Sequence, residues 1–172
     1  VCKGYKANVL EPEALEEVIG GAIALILKRA PEQKIQVEMP EEVLMIPMDA
    51  RLMEQVFVNL LDNAVKHSEP SDQITITVEA PERESGIRIE VADRGEGISD
   101  ADLPNIFETF YTSSTRDADS KQGIGLGLAI CDTIIKAHGG SIRAENRADG
   151  KGAVFTLKIP VNKEEGSNGA LS

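Results

Sequence analysis

Hydrophobic and polar positions alternate in two distinct rhythms along this chain. From Glu11 to Arg29, residues Leu15, Val18, Ile19, Ala22, Ile23 and Ile26 recur every three or four positions, which gathers them on one face of a helix. Pro12 is acceptable in a first helical turn, and Pro31 ends the segment. Ile35 and Val37 alternate with polar neighbours and Val43 to Ile46 forms a second short apolar run, so two strands are expected, bounded by Pro40 and Pro47. Asp49 is suited to cap a helix from Ala50 to about His67. The alternating segments Gln73 to Glu79 and Gly86 to Val91, separated by Pro81 to Ser85, predict a β-hairpin. From Ala92 to Gly123 the pattern is irregular except for a short helical turn near Leu103 to Phe107, and a loop of that length in a compact domain is usually functional; a lid is expected. Ile124 to His138 reads as a helix stopped by Gly139 and Gly140, followed by strands at Ser141 to Asn146 and Gly152 to Ile159.

Strands and helices in this order, without strict alternation, predict an α+β fold: a two-layer α/β sandwich with a mixed sheet of about five strands and three main helices on one face. A chain of 172 residues, 41% hydrophobic, can bury one good-sized core. One domain is expected over 1–161, with the polar stretch 162–172 disordered. The longest apolar run, Ala22 to Leu27, is stopped by Lys28 and Arg29, far short of the roughly eighteen residues that span a bilayer, so this chain is not expected to insert in a membrane. It begins at Val1 and lacks a signal pattern, and therefore reads as a piece of a longer protein whose other parts are free to be membrane-anchored.

The formal net charge of −11 argues against a nucleic-acid partner. A phosphate-rich ligand would need local help from a cation, a few Lys or Arg and backbone N–H groups. Cys2 and Cys131 are too few and too far apart for a zinc site or a disulfide framework, and Cys131 reads as a buried free thiol in a reducing compartment.

Three stretches could supply that help. On the second helix Gln55, Asn59, Asn63, Lys66 and His67 gather on one side, and Asn63 falls inside the arc made by Leu52, Val56, Leu60 and Ala64. A buried amide without partners costs on the order of 1–3 kcal/mol, so Asn63 is either a satisfied core amide or faces a polar ligand. Asn oxygen suits Mg²⁺, and Lys66 one turn away could meet a phosphate. Second, Asp93 ends an apolar strand and is followed by Gly95, Gly97 and Ile98. A fixed carboxylate there would accept a hydrogen bond from the exocyclic amine of adenine, where guanine presents a carbonyl, although an ordinary Asp-Gly turn gives the same pattern. Third, Gly123, Ile124, Gly125, Leu126, Gly127 and Leu128 precede a helix whose unpaired N–H groups favour phosphate oxygens. They match neither a dinucleotide fingerprint nor a P-loop, and a structural hinge is the alternative. Arg116 and Lys121 lie in the polar segment before them, placed to close over a polyphosphate.

In order, Asn59-Leu-Leu-Asp-Asn63-Ala-Val-Lys66-His67, Asp93-Arg-Gly95-Glu-Gly97, Phe107-Glu-Thr-Phe110-Tyr111 and Gly123-Ile-Gly125-Leu-Gly127-Leu128 resemble the N, G1, F and G2 boxes of sensor histidine kinases. The resemblance spans nearly the whole chain and includes Lys136-Ala-His138-Gly139-Gly140 and the Gly-rich entry to the last strand. It implies the Bergerat ATP-binding fold with an ATP lid. It further implies that Asn63 coordinates Mg²⁺, that Asn59 supports the metal-phosphate network, that Lys66 contacts phosphate, that His67 flanks adenine and that Asp93 binds it. Gly95, Gly97, Ile98, Tyr111 and the residues 123–128 complete the implied nucleotide contacts; Asn59, Lys66, Arg116 and Lys121 are the implied catalytic set.

Hydrolysing relatives carry a Glu general base where this chain has Asn59, so the resemblance favours phosphoryl transfer over hydrolysis. The implied partners are ATP or ADP, a separate dimerisation domain carrying the acceptor histidine, and a response regulator, with the domain on the cytoplasmic side. Three departures stand out: Thr109 and Thr112 replace basic F-box residues, Ala153 replaces a Ser or Thr near adenine, and no acceptor histidine stands in its usual sequence setting. The segments 49–67 and 129–140 are similar to the potassium-sensing, KdpD-type kinases.

Overall fold

The computed structural model describes residues 10–80, 86–109 and 127–161. In chain order these form β1 (Pro12–Ala14), α1 (Leu15–Arg29), β2 (Lys34–Glu38), β3 (Met45–Pro47), α2 (Ala50–His67), β4 (Gln73–Glu79), β5 (Ile87–Ala92), a 3-10 turn (Leu103–Asn105), α3 (Gly127–Ala137), β6 (Ser141–Asn146) and β7 (Ala153–Ile159).

Five strands make one mixed sheet in the order β2-β4-β5-β7-β6, with β2 parallel to β4 and every other pair antiparallel. Period-two alternation sorts the strands into faces. Val37, Ile76, Val91, Phe155 and Ala144 stand side by side on the inner face, and Glu38, Thr77, Glu90, Thr156 and Arg143 on the outer one. The helices cover the inner face, α2 lying between α1 and α3. That central place explains why α2 buries a wide arc of Met53, Val56, Phe57, Val58, Leu60, Leu61 and Ala64. The two-layer sandwich expected from the sequence is the fold found.

One element differs. Pro12 does not open α1; it belongs to β1, which pairs antiparallel with β3 in a separate two-stranded ribbon. The ribbon starts the helix: Leu44 carbonyl accepts from Leu15 N–H at 3.0 Å, satisfying a donor that Ala14 has no side chain to cap. Asp49 caps α2 as expected, its carboxylate accepting from Leu52 N–H at 3.1 Å. At the far end of α3, Gly139 takes φ +76° and Gly140 N–H reaches back to Ile135 carbonyl at 2.9 Å, a left-handed closure that glycine adopts without strain.

Candidate functional site

Asp93 follows β5 on the side chain register of Val91, which turns it inward, and it is only 3% exposed. A buried carboxylate is tolerable only when hydrogen-bonded. Its Oδ1 accepts from Gly95 N–H at 3.0 Å and from Ala153 N–H at 3.1 Å, so the turn after β5 and the start of β7 fix one oxygen. No described residue donates to Oδ2, which leaves that oxygen as the acceptor for something else. Ala153 therefore contributes its backbone, and the Ser or Thr hydroxyl missing from its side chain leaves this bond intact.

Gly95 brings the turn onto α2. A Cβ there would lie 1.8 Å from His67 carbonyl oxygen, so only glycine permits the approach. The neighbour that requires glycine here is the end of α2. Asn146, the last residue of β6, clips the same turn, accepting from Ile98 N–H and donating to Ile98 carbonyl, both at 2.7 Å. Arg147 donates to Asp93 carbonyl at 3.5 Å, and its N–H bonds Gly152 carbonyl at 2.9 Å. Farther along, Phe107 meets Phe155 edge-to-face at 6.2 Å between centroids, seating the chain beyond the turn on the sheet.

Along α2, Gln55 donates to Asn59 Oδ1 at 2.8 Å and Asn59 Nδ2 donates to Gly127 carbonyl at 3.2 Å, which ties the head of α3 to α2. Asn63 sits half-buried at the edge of the core arc, on the same side of α2 as the likewise half-buried Leu52 three turns earlier, and it bonds to no described residue. Among the described residues, then, its amide has no bond that would make it a satisfied core group. Lys66 pairs with Asp62 at 3.0 Å, each about one-third exposed, and such a pair is worth roughly 0–1 kcal/mol and yields readily to a stronger anion. Asn59 and His67, eight residues apart, span about 12 Å of helix. Asn63 and Lys66 lie between the contact with α3 and the contact with the Asp93 turn.

Among the predicted site residues, the structure thus brings Asn59 to Gly127 and Asp93 to Gly95, Ala153 and the end of α2. Gly97 has φ +78° beside Asn146, and Ile98 and Leu128 pack partly buried against the core. Tyr111, Arg116, Lys121, Gly123, Ile124, Gly125 and Leu126 lie outside the described residues, as do the lid segment 112–122, Cys2 and the tail 162–172. Sequence reasoning missed Asn146 and Arg147, whose contacts join segments some fifty residues apart. Cys131 is the buried thiol expected: burial pushes it up to about 12, the neighbouring Asn59 amide offsets part of that rise, and Sγ donates to Val56 carbonyl at 3.6 Å.

No group of three or more His, Cys, Asp or Glu among the described residues could hold a metal. A divalent ion here would need amide oxygen, ligand phosphates and water, the donor set magnesium accepts, and Asn63 fits it.

The model of the histidine kinase-, DNA gyrase B- and HSP90-like ATPases matches residues 48–163, and the chain belongs to this family. Sensor protein KdpD of Clostridium acetobutylicum is 45% identical over 148 residues, covering 86% of this chain and 16% of its own length. This chain thus spans about one-sixth of that relative. The mycobacterial sensor histidine kinase MprB superposes with a TM-score of 0.77 at 25% identity, covering 90% of this chain and 99% of that one. Full-length ShkA, solved in complex with AMPPNP, gives 0.70 at 26% identity, covering 90% of this chain and 31% of its own. The relatives are sensor histidine kinases, and this chain is a histidine-kinase type of ATP-binding domain.

Proposed function

We propose that this chain binds Mg-ATP between α2, the Asp93 turn and the segment leading into α3, and passes the γ-phosphoryl group to a histidine on a separate dimerisation domain. The observation that carries the reading is the buried Asp93 carboxylate, one oxygen held by two backbone N–H groups and the other left for adenine. Its amine-accepting chemistry selects adenine. AMPPNP in ShkA supports the same class of ligand.

In this reading Asn63 holds Mg²⁺, which neutralises charge on the phosphates. Asn59 holds the head of α3 beside the phosphates, Lys66 leaves Asp62 for a phosphate oxygen, and His67, Ile98, Gly95 and Gly97 border the base. Tyr111, Arg116, Lys121 and residues 123–128 complete the pocket. The acceptor imidazole attacks phosphorus, the bond to the β–γ bridging oxygen breaks, ADP leaves and the imidazole proton is lost. Asn59 offers no general base for water, so hydrolysis is disfavoured and catalysis rests on positioning. A response regulator then takes the phosphoryl group, and the domain works at the cytoplasmic side of a membrane-anchored sensor. No helix among the described residues is long and apolar enough to cross a membrane.

The test mixes the chain with the separately produced histidine-bearing domain and γ-labelled ATP. Acid-labile label on that histidine is expected. Tight ATP binding without transfer would instead make this a nucleotide-sensing module, and steady phosphate release by the chain alone would make it an ATPase.

A further inference from the structure

Three hydrogen bonds cross the seam between α2 and α3. Asn59 Nδ2 donates to Gly127 carbonyl at 3.2 Å, Cys131 Sγ donates to Val56 carbonyl at 3.6 Å, and Asp49 N–H donates to His138 Nε2 at 3.0 Å. The partners run in opposite directions along the two helices, 59 to 49 on one and 127 to 138 on the other, so the helices are antiparallel. The outer two bonds are about 15 Å apart along α2 and about 16 Å along α3, a matched span that closes only in one register. The remaining apolar residues that α3 packs against the core are Leu128, Ile134 and Ile135, whose burial gives no direction. Packed helices can shift by a whole turn of about 5.4 Å; directional bonds at both ends forbid it.

We propose that His138 is a positioning residue that locks α3, and with it Gly127 at its head, in register with the site-bearing helix α2. Its ring joins two helix ends. Nδ1 lies 2.7 Å from Ile134 carbonyl, an acceptor, and Nε2 faces Asp49 N–H, a donor. Those partners require the neutral ring with its proton on Nδ1. The ring thereby gives Ile134 carbonyl, which already accepts from His138 N–H at 3.1 Å, a second donor, and gives the N–H at the start of α2 its acceptor. This role rests on the function proposed above only for its consequence, a correctly placed head of α3 beside the phosphates.

Two substitutions separate the bridge from simple capping. The Asn amide reaches about as far as Nδ1 and the Gln amide about as far as Nε2, so His138→Asn can keep the Ile134 contact and His138→Gln the Asp49 contact. Loss of one net hydrogen bond, about 1 kcal/mol, corresponds to about a fivefold change. His138→Asn is expected to weaken ADP and ATP about fivefold and to speed amide exchange at the head of α3, whereas His138→Gln stays within about twofold of the unaltered chain. The reverse ranking, or equal losses, would overturn the proposal. A long-range proton–nitrogen spectrum of the unaltered chain must show the His138 proton on Nδ1, and a proton on Nε2 would overturn it too. Failure of the unaltered chain to bind adenine nucleotide would refute the function and not the bridge, which the ring spectrum and amide exchange read without ligand.

Discussion

Replacing Asp93 by Asn separates recognition from folding. Asn keeps an oxygen at Oδ1, where Gly95 and Ala153 donate, and places an NH₂ where Oδ2 stands. The turn therefore keeps both bonds, but the free position changes from acceptor to donor and would face the adenine amine donor-to-donor. A hydrogen bond to a charged group is worth about 1.5–3 kcal/mol, so ATP and ADP should weaken by about 10- to 150-fold before any repulsion is added. GTP affinity should fall less, narrowing the preference for adenine. Asp93→Ala is the contrasting variant, because it strips two N–H groups of their acceptor and should cost on the order of 1–3 kcal/mol of stability for each that stays buried. Calorimetric titration paired with thermal melts reads both quantities. An Asn variant that melts normally and binds ATP as tightly as the unaltered chain would refute the reasoning, as would an Ala variant that loses no stability.

Asn63→Ala should abolish most of the Mg²⁺ dependence of ATP binding while leaving metal-free ADP affinity nearly unchanged; identical magnesium titrations in variant and parent would remove Asn63 from the metal site. Gly95→Ala drives a methyl into His67 carbonyl, an overpacking worth about 1–3 kcal/mol, so the melting temperature should drop by about 2–12 °C and nucleotide affinity should fall with it. An unaltered melt would show that the turn does not rest on α2. The Cys131 thiol is neutral in the fold and ionises more easily once unfolded, so stability is fully present below pH 9 and declines as pH rises from 9.0 toward about 12. That displacement corresponds to about 4 kcal/mol at its alkaline limit. Cys131→Ala should be less stable at neutral pH yet show a shallower alkaline decline in denaturant melts, and parallel profiles would contradict it.

The second helix was legible because its signals are local: Asp49 at the cap, the three-and-four spacing of its apolar residues and the polar stripe beside them. The hairpin of β4 and β5 was legible for the same reason. β1 was not, because Pro12 suits a first helical turn as well as a short edge strand, and only its pairing with residues 45–47 decides between them. Asp93 could be found as a carboxylate closing an apolar strand before glycines. The contact of Gly95 with the end of α2 could not, because it joins positions 28 residues apart. Asn146 and His138 act across gaps of 48 and 89 residues, distances at which periodicity and capping rules carry no information.

Amide chemical-shift mapping with ADP, repeated with the triphosphate analogue and magnesium, tests the central claim most directly. Shifts confined with ADP to residues 93–98, the end of α2 and Ala153, extending with the magnesium-triphosphate to Asn59, Asn63 and Gly127, are the result expected. No shifts at all, or shifts gathered on the outer face of the sheet around Glu90, Thr156 and Arg143, would contradict it.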